Sequence, residues 1–447
     1  MSSPARVPSA LQSPRQRRIL LAYTVNRLGS WVGLVALSLA VFDHTHSALA
    51  VAALLLAWQA LPAFLVPLLV ARVEASARRR ELSALYYFEG VATATLAVLL
   101  WHFWLPAVLL MAVLDGTAAL AANALLRAEV ARVARAQVTA SADVRRPAED
   151  VEADAQEGER KANAALNVAF SVAFVGGPLI GGVVVASAGA PAALFIDVGS
   201  FLICGVLLLD LHPHVEEAAG ESVRARLRAA WAHINETPAL RGLLFAEAAA
   251  LVFIQAAAPI EVSYAKATLH AGDRGYGLLV TAWGAGAVLA SVVFARAVRR
   301  PLGAMLSVGI FALGAAFVGY ALAPSLALGC LAAFVGGVGN GLEWPSLISL
   351  VQSLTPQRLH GRLMGAVESL AALGLAIGLP LGGILVALSS TRIAFMTLGV
   401  GTIATTAAFL RLTLGLKATT DGASEAQPAP SPQAPVEASL SQEPAPK

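Results

Sequence analysis

Twelve long apolar runs separated by polar breaks organise the chain. They lie at about 19–42, 48–71, 82–103, 105–127, 163–187 and 191–211 in the first half. In the second half they lie at about 240–265, 275–297, 302–322, 326–351, 363–388 and 392–412. Each is near the ~20 apolar residues that a helix needs to cross a bilayer core. The pattern predicts an all-α membrane protein: twelve transmembrane helices in two six-helix bundles, 19–211 and 239–412. The first run, roughly 24 residues long, exceeds the ~7–15 of a signal-peptide core and reads as a permanent helix.

The polar breaks test this count. If the 1–18 tail lies inside, the breaks alternate, and 27 of the 31 Lys and Arg fall on the inner side. Lys266, Arg274 and Arg392 fall outside, and Arg27 lies within a helix. Basic residues mark cytoplasmic loops. The bias therefore supports twelve crossings independently of hydropathy, with both termini cytoplasmic and the protein in the inner cell membrane. Residues 132–162, rich in Ala, Asp, Glu and Arg, read as a mobile solvated insert. In the 212–238 break, Val223, Leu227, Trp231 and Ile234 recur at helical spacing, opposed by Arg224 and Arg228. That predicts an amphipathic helix on the inner surface. The tail 413–447 has a disordered composition.

Composition narrows the class further. The 447 residues are 57% hydrophobic and 13% charged, against about 25% charged in soluble domains. Mean hydropathy is +0.70. The pI of 9.0 follows from the topological placement of Arg and Lys and does not point to nucleic acid. Cys204 and Cys330 both lie in apolar runs and form no disulfide or zinc pattern. None of the lysines (Lys161, Lys266, Lys417, Lys447) follows Gly, which excludes a Walker A phosphate loop. His44-Thr45-His46 and His212-Pro213-His214 lack a third ligand nearby. No enzyme activity, cofactor or metal is expected.

The two halves echo each other. Trp58 to Arg72 in the second run parallels Trp283 to Arg296 in the eighth. Gly177-Pro178-Leu179-Ile180-Gly181-Gly182 parallels Gly378-Leu379-Pro380-Leu381-Gly382-Gly383. Two related six-helix halves are the plan of many secondary transporters. Glycine clusters allow close helix approach.

Several segments carry a resemblance: Asn26-Arg27-Leu28-Gly29-Ser30-Trp31; Gly177-Pro178 with Gly181-Gly182; Ala193-Leu194-Phe195-Ile196-Asp197; Trp231, Ile234, Pro238 and Leu240-Arg241; and Thr355 to Arg362. Together the chain resembles the major facilitator superfamily (MFS), in the branch of bacterial drug and siderophore exporters that includes the enterobactin exporter and macrolide efflux proteins. The resemblance implies alternating access between the bundles, a small-molecule substrate, protons as coupling ion, lipids as surroundings and a monomer. Uptake, transport of a specific metabolite, or a non-transporting sensor are the alternatives. It also implies that helices one, four, seven and ten line a central cavity. Those helices carry Asn26, Arg27, Asp115, Asn123, Glu247, Gln255, Glu261, Asn340 and Glu343. Asp115 lies about 15 Å into its helix at ~1.5 Å per residue, and an ionisable group at that depth demands a reason. It is the leading proton-coupling candidate. Glu343 reads as closer to the cytoplasmic interface, and Glu89, Asp197 and Glu368 as structural. For gating, the resemblance points to Gly177, Pro178, Gly181, Gly182, Gly378, Pro380 and Gly382. It also points to the loop carrying Glu74, Arg78 and Arg79, which departs from the family pattern by lacking the first Arg and the Gly.

Overall fold

The computed structural model describes residues 13–63, 81–141, 147–209, 223–296, 301–356 and 359–407. Among the described residues, twelve apolar helices fall within the runs of the hydropathy pattern. The first six are α1 (Pro14–Thr45), α2 (Ala48–Ala63), α3 (Glu81–Leu99), α4 (Leu105–Ser141), α5 (Ala148–Ala188) and α6 (Ala190–Leu207). The second six are α7 (Pro238–Thr268), α8 (Gly272–Arg296), α9 (Leu302–Leu322), α10 (Leu326–Ser353), α11 (His360–Leu388) and α12 (391–407). Among the described residues, ten are long and apolar enough to cross a membrane; α2 and α12 run to the edge of the described chain. A connecting helix, Val223–Glu236, joins the halves. Its Ile234 is buried with α7 and α11 side chains, whereas Trp231 is exposed.

The packing repeats with an offset of six helices. In the first half α1 packs on α5, α2 on α4, and α3 on α4 and α6. In the second, α7 packs on α11, α8 on α10, and α9 on α10 and α12. The first turn of each half repeats too: His46 after α1 and His270 after α7 both take left-handed φ, 48° and 50°. At equivalent crossings Gly116 lies under the Trp58 carbonyl and Gly337 under the Trp283 carbonyl. Only a residue without a Cβ lets backbones come that close.

The hydrophobic core divides along the helix axes. We call the end that carries Pro14 proximal and the end that carries the α1–α2 turn distal. At the distal end one cluster draws on both bundles, from Val32–Phe42 of α1 through Ile260 and Tyr264 of α7 to Phe395 of α12. At the proximal end there are two clusters. One holds Ile19, Leu82, Leu125 and Leu166 of the first bundle; the other holds Leu240, Leu306, Leu347 and Leu363 of the second. The bundles are thus joined distally, with separate cores proximally.

The 132–162 segment differs from expectation. On either side of 142–146, which lie outside the described residues, it continues α4 and α5 as a helical hairpin. Val133, Ala134 and Val138 face Ala155, Gly158 and Ala162 and are buried. Arg135 reaches Glu152 at 3.0 Å and Glu159 at 3.5 Å on the solvent side. The high charge hid a narrow Ala/Val stripe at helical period. At the root of the hairpin, buried Glu129 accepts hydrogen bonds from Arg15 at 3.1 Å and Arg132 at 2.6 Å, tying α1 to α4. The expected tail 413–447 lies outside the described residues.

Candidate functional site

A cavity of about 880 Å³ lies below the shared distal core, between the two proximal cores. Both bundles supply its walls. Asn26, Arg27, Ser30 and Trp31 come from α1, Trp58 and Gln59 from α2, and Gly116 and Leu120 from α4. Gln255 of α7 and Glu368 to Leu375 of α11 form the opposite wall. The size is that of a small-molecule site, about 300–1,000 Å³.

Of the expected cavity residues, Asn26, Arg27 and Gln255 line it. Arg27 lies 5.4 Å from the Tyr23 ring centroid, and the Tyr23 hydroxyl accepts a hydrogen bond from Arg127 at 3.1 Å. Asp115 stands one layer behind. Trp58 Nε1 donates to its Oδ2 at 2.9 Å, and Thr93 Oγ1 donates to its Oδ1 at 3.0 Å. The carboxylate therefore reaches the cavity through the Trp58 ring. α2 widens to a π turn over Leu56–Ala60, which contains that tryptophan. Such local rewinding is frequent at functional sites.

The remaining candidates lie off the cavity. Asn123 and Asn340 are half-buried on α4 and α10. Glu247 and Glu343 are buried against one another inside the second bundle. The interfacial reading of Glu343 is thereby corrected: it is 1% exposed. Glu261 accepts from Tyr320 at 3.3 Å in the distal core. Asp197 sits over Gly29 and Gly33 of α1 and accepts from Ser200 at 3.0 Å. Glu368, read from sequence as structural, lines the cavity. Trp58 and Gln59 were missed because depth along a helix does not tell which face looks inward. An unexplained Gln beside Trp in an apolar helix was the available signal.

The gating residues separate into two kinds. Gly177 packs on Trp31 and Gly181 on Val32 and Val35, all within the first bundle. Gly378 and Gly382 pack on Val252 and Ala256 of α7, within the second. The crossings between bundles belong to their neighbours. A Cβ on Gly182 would lie 3.0 Å from Gly277 Cα of α8, and one on Gly383 would lie 2.8 Å from Leu49 Cα of α2. The Pro178 carbonyl faces Gly277, and Pro380 lies within α11. At the distal mouth Lys266 of α7 bridges Asp43 of α1 across the interface and bonds Asp273 at 2.6 Å. Glu74, Arg78 and Arg79 lie outside the described residues.

The family model described as Major Facilitator Superfamily matches residues 243–444. That match covers the second bundle and leaves the first bundle outside it. The packing of the first six helices repeats that of the six helices in the matched half. The chain is 26% identical over 247 residues to the multidrug efflux pump Tap of Mycolicibacterium fortuitum. That match covers 53% of the chain and 59% of the relative. Its fold is similar to that of the nucleoside transporter NupG, with TM-score 0.68 and 14% identity over 90% of this chain and 99% of the other. It is also similar to a bacterial homologue of the iron transporter ferroportin in the inward-facing state, with TM-score 0.66 and 16% identity over 90% and 99%. The ten long apolar helices among the described residues, together with this partial match to the family model, indicate a multi-pass membrane protein.

Proposed function

We propose that the protein is a proton-driven exporter of small amphipathic molecules of the drug-like or siderophore class. It works by alternating access in the inner membrane, with both termini cytoplasmic. The observation that carries this reading is the bond from cavity-lining Trp58 to buried Asp115. At the equivalent crossing of the second half, the Trp283 ring lies against Gly336. The position that carries Asp115 in the first half therefore carries Gly336 in the second, where packing alone accepts glycine.

The chemistry follows from that bond. Ionised Asp115 accepts from both Trp58 and Thr93. A proton on one carboxyl oxygen removes an acceptor and releases one donor. Release of Trp58 acts on α2, which also packs on α11 of the other bundle. A proton at Asp115 is thus felt both at the cavity wall and at the interface between bundles. One charge crossing ~100 mV supplies about 2.3 kcal/mol, which is enough to drive a shift of that kind. Similarity to an efflux pump supports export. Asp115→Asn keeps the shape and removes the titration. In everted membrane vesicles it should abolish gradient-driven accumulation of a substrate found by toxin-panel screening while sparing downhill exchange. Wild-type uphill accumulation in the variant would make Asp115 structural. Accumulation in the opposite sense would make the protein an importer.

A further inference from the structure

From the charges on the two cavity walls, and resting on the transport reading above, we infer that the preferred substrate is zwitterionic. It is an amphipathic molecule that carries one anionic and one cationic group on an aromatic body. Among the described lining residues the charged side chains are Arg27 and Glu368. They stand on α1 and α11, in different bundles, and neither has an ion-pair partner among the described residues. Arg27 is held by the face of Tyr23, and its Nε finds no acceptor. Glu89, buried on α3, lies within electrostatic reach of Arg27 but forms no ion pair with it. Glu368 is exposed to the cavity beside Ser369.

A cavity with one charge of each sign selects by matching. A simple cation answers Glu368 and leaves Arg27 opposed by a like charge; a simple anion does the reverse. A neutral molecule offers neither side chain an opposite charge. A zwitterion satisfies both, and its carboxylate suits the planar donor set of a guanidinium. Trp31 and Trp58 supply aromatic faces on the first wall, and Asn26, Gln59 and Gln255 supply neutral hydrogen-bonding groups. Because the two charges sit on separate bundles, a ligand that engages both draws α1 toward α11. Cavity closure then depends on a substrate that carries both groups.

The test is a charge series on one scaffold. The probes are a fluoroquinolone zwitterion, its methyl ester, which keeps only the cation, and its N-acetyl derivative, which keeps only the anion. Binding to the full chain in lipid nanodiscs is measured by calorimetry at pH 7.4. The zwitterion should bind about tenfold or more tightly than either derivative, the scale of one charge-assisted hydrogen bond. Arg27→Gln should lower zwitterion affinity to that of the ester without weakening the ester. Glu368→Gln should lower it to that of the N-acetyl compound, and Arg27→Lys should restore part of the preference. The inference is overturned if none of the three probes binds, if the ester or the N-acetyl compound equals the zwitterion in the wild type, or if Arg27→Gln weakens all three equally. No gradient enters this measurement. Lost charge preference with intact flux overturns only the substrate class, whereas intact preference without flux in either direction overturns the transport reading.

Discussion

Gly182→Leu tests the distal closure. A Cβ at Gly182 lies 3.0 Å from Gly277 Cα and 2.9 Å from the Asp273 carbonyl oxygen, whereas carbon atoms settle at about 3.5–4.0 Å. Both obstacles are backbone, so no side-chain rotation relieves them. Even alanine demands a separation of roughly half an ångström between α5 and α8, and the longer leucine side chain demands more. Overpacking of this kind costs about 1–3 kcal/mol. The cost falls on the distally closed state alone, because distal opening parts the two helices. The equilibrium should therefore move toward the distally open state by about 5–150-fold. Spin labels at Phe195 and Leu322, exposed near the distal ends of α6 and α9, read the change as a longer-distance population. The variant should stay in the membrane and lose uphill transport. Gly181→Leu should behave differently, since its Cβ would meet Val35 Cβ at 3.1 Å and Val32 Cα at 3.2 Å inside one bundle. Its expected effect is reduced folded yield. An unchanged distance distribution with wild-type flux in Gly182→Leu would refute the reasoning.

Lys266→Gln removes the distal latch to Asp43, which is 44% exposed. An ion pair that open to solvent contributes ~0.2–1 kcal/mol, so the same label pair should report a shift of no more than about fivefold; a larger shift than Gly182→Leu produces would contradict this ranking. Reporter fusions after Glu236 should report cytoplasm and those after Ala190 periplasm, and a periplasmic signal at Glu236 would sink the proposed orientation.

Much of the fold was legible because helices in a bilayer must be long and apolar, and because Arg and Lys separate the two sides. The repeat was legible at Trp58 and Trp283 and in the two glycine clusters, where backbone approach restricts side-chain choice. The site was legible only in part. Arg27, Asn26 and Gln255 reach the cavity, but Asp115 reaches it through Trp58, and Glu247 turns away to face Glu343. Sequence distance sets the height of a residue in its helix. The azimuth depends on which neighbour each face meets, and that is a tertiary fact. The hairpin at 132–162 was misread for a related reason: its Ala and Val stripe is weak by hydropathy and becomes a buried face only when the two helices lie together.

The central claim is that substrate movement is powered by protons through this cavity. Purified protein in liposomes, given an imposed pH gradient and a fluorescent substrate on the side facing the proximal end, measures it directly. The account predicts uphill movement toward the side facing the distal end, with protons moving the opposite way and the flux collapsing when a protonophore dissipates the gradient. Flux that neither depends on the gradient nor reverses with its sign would contradict it.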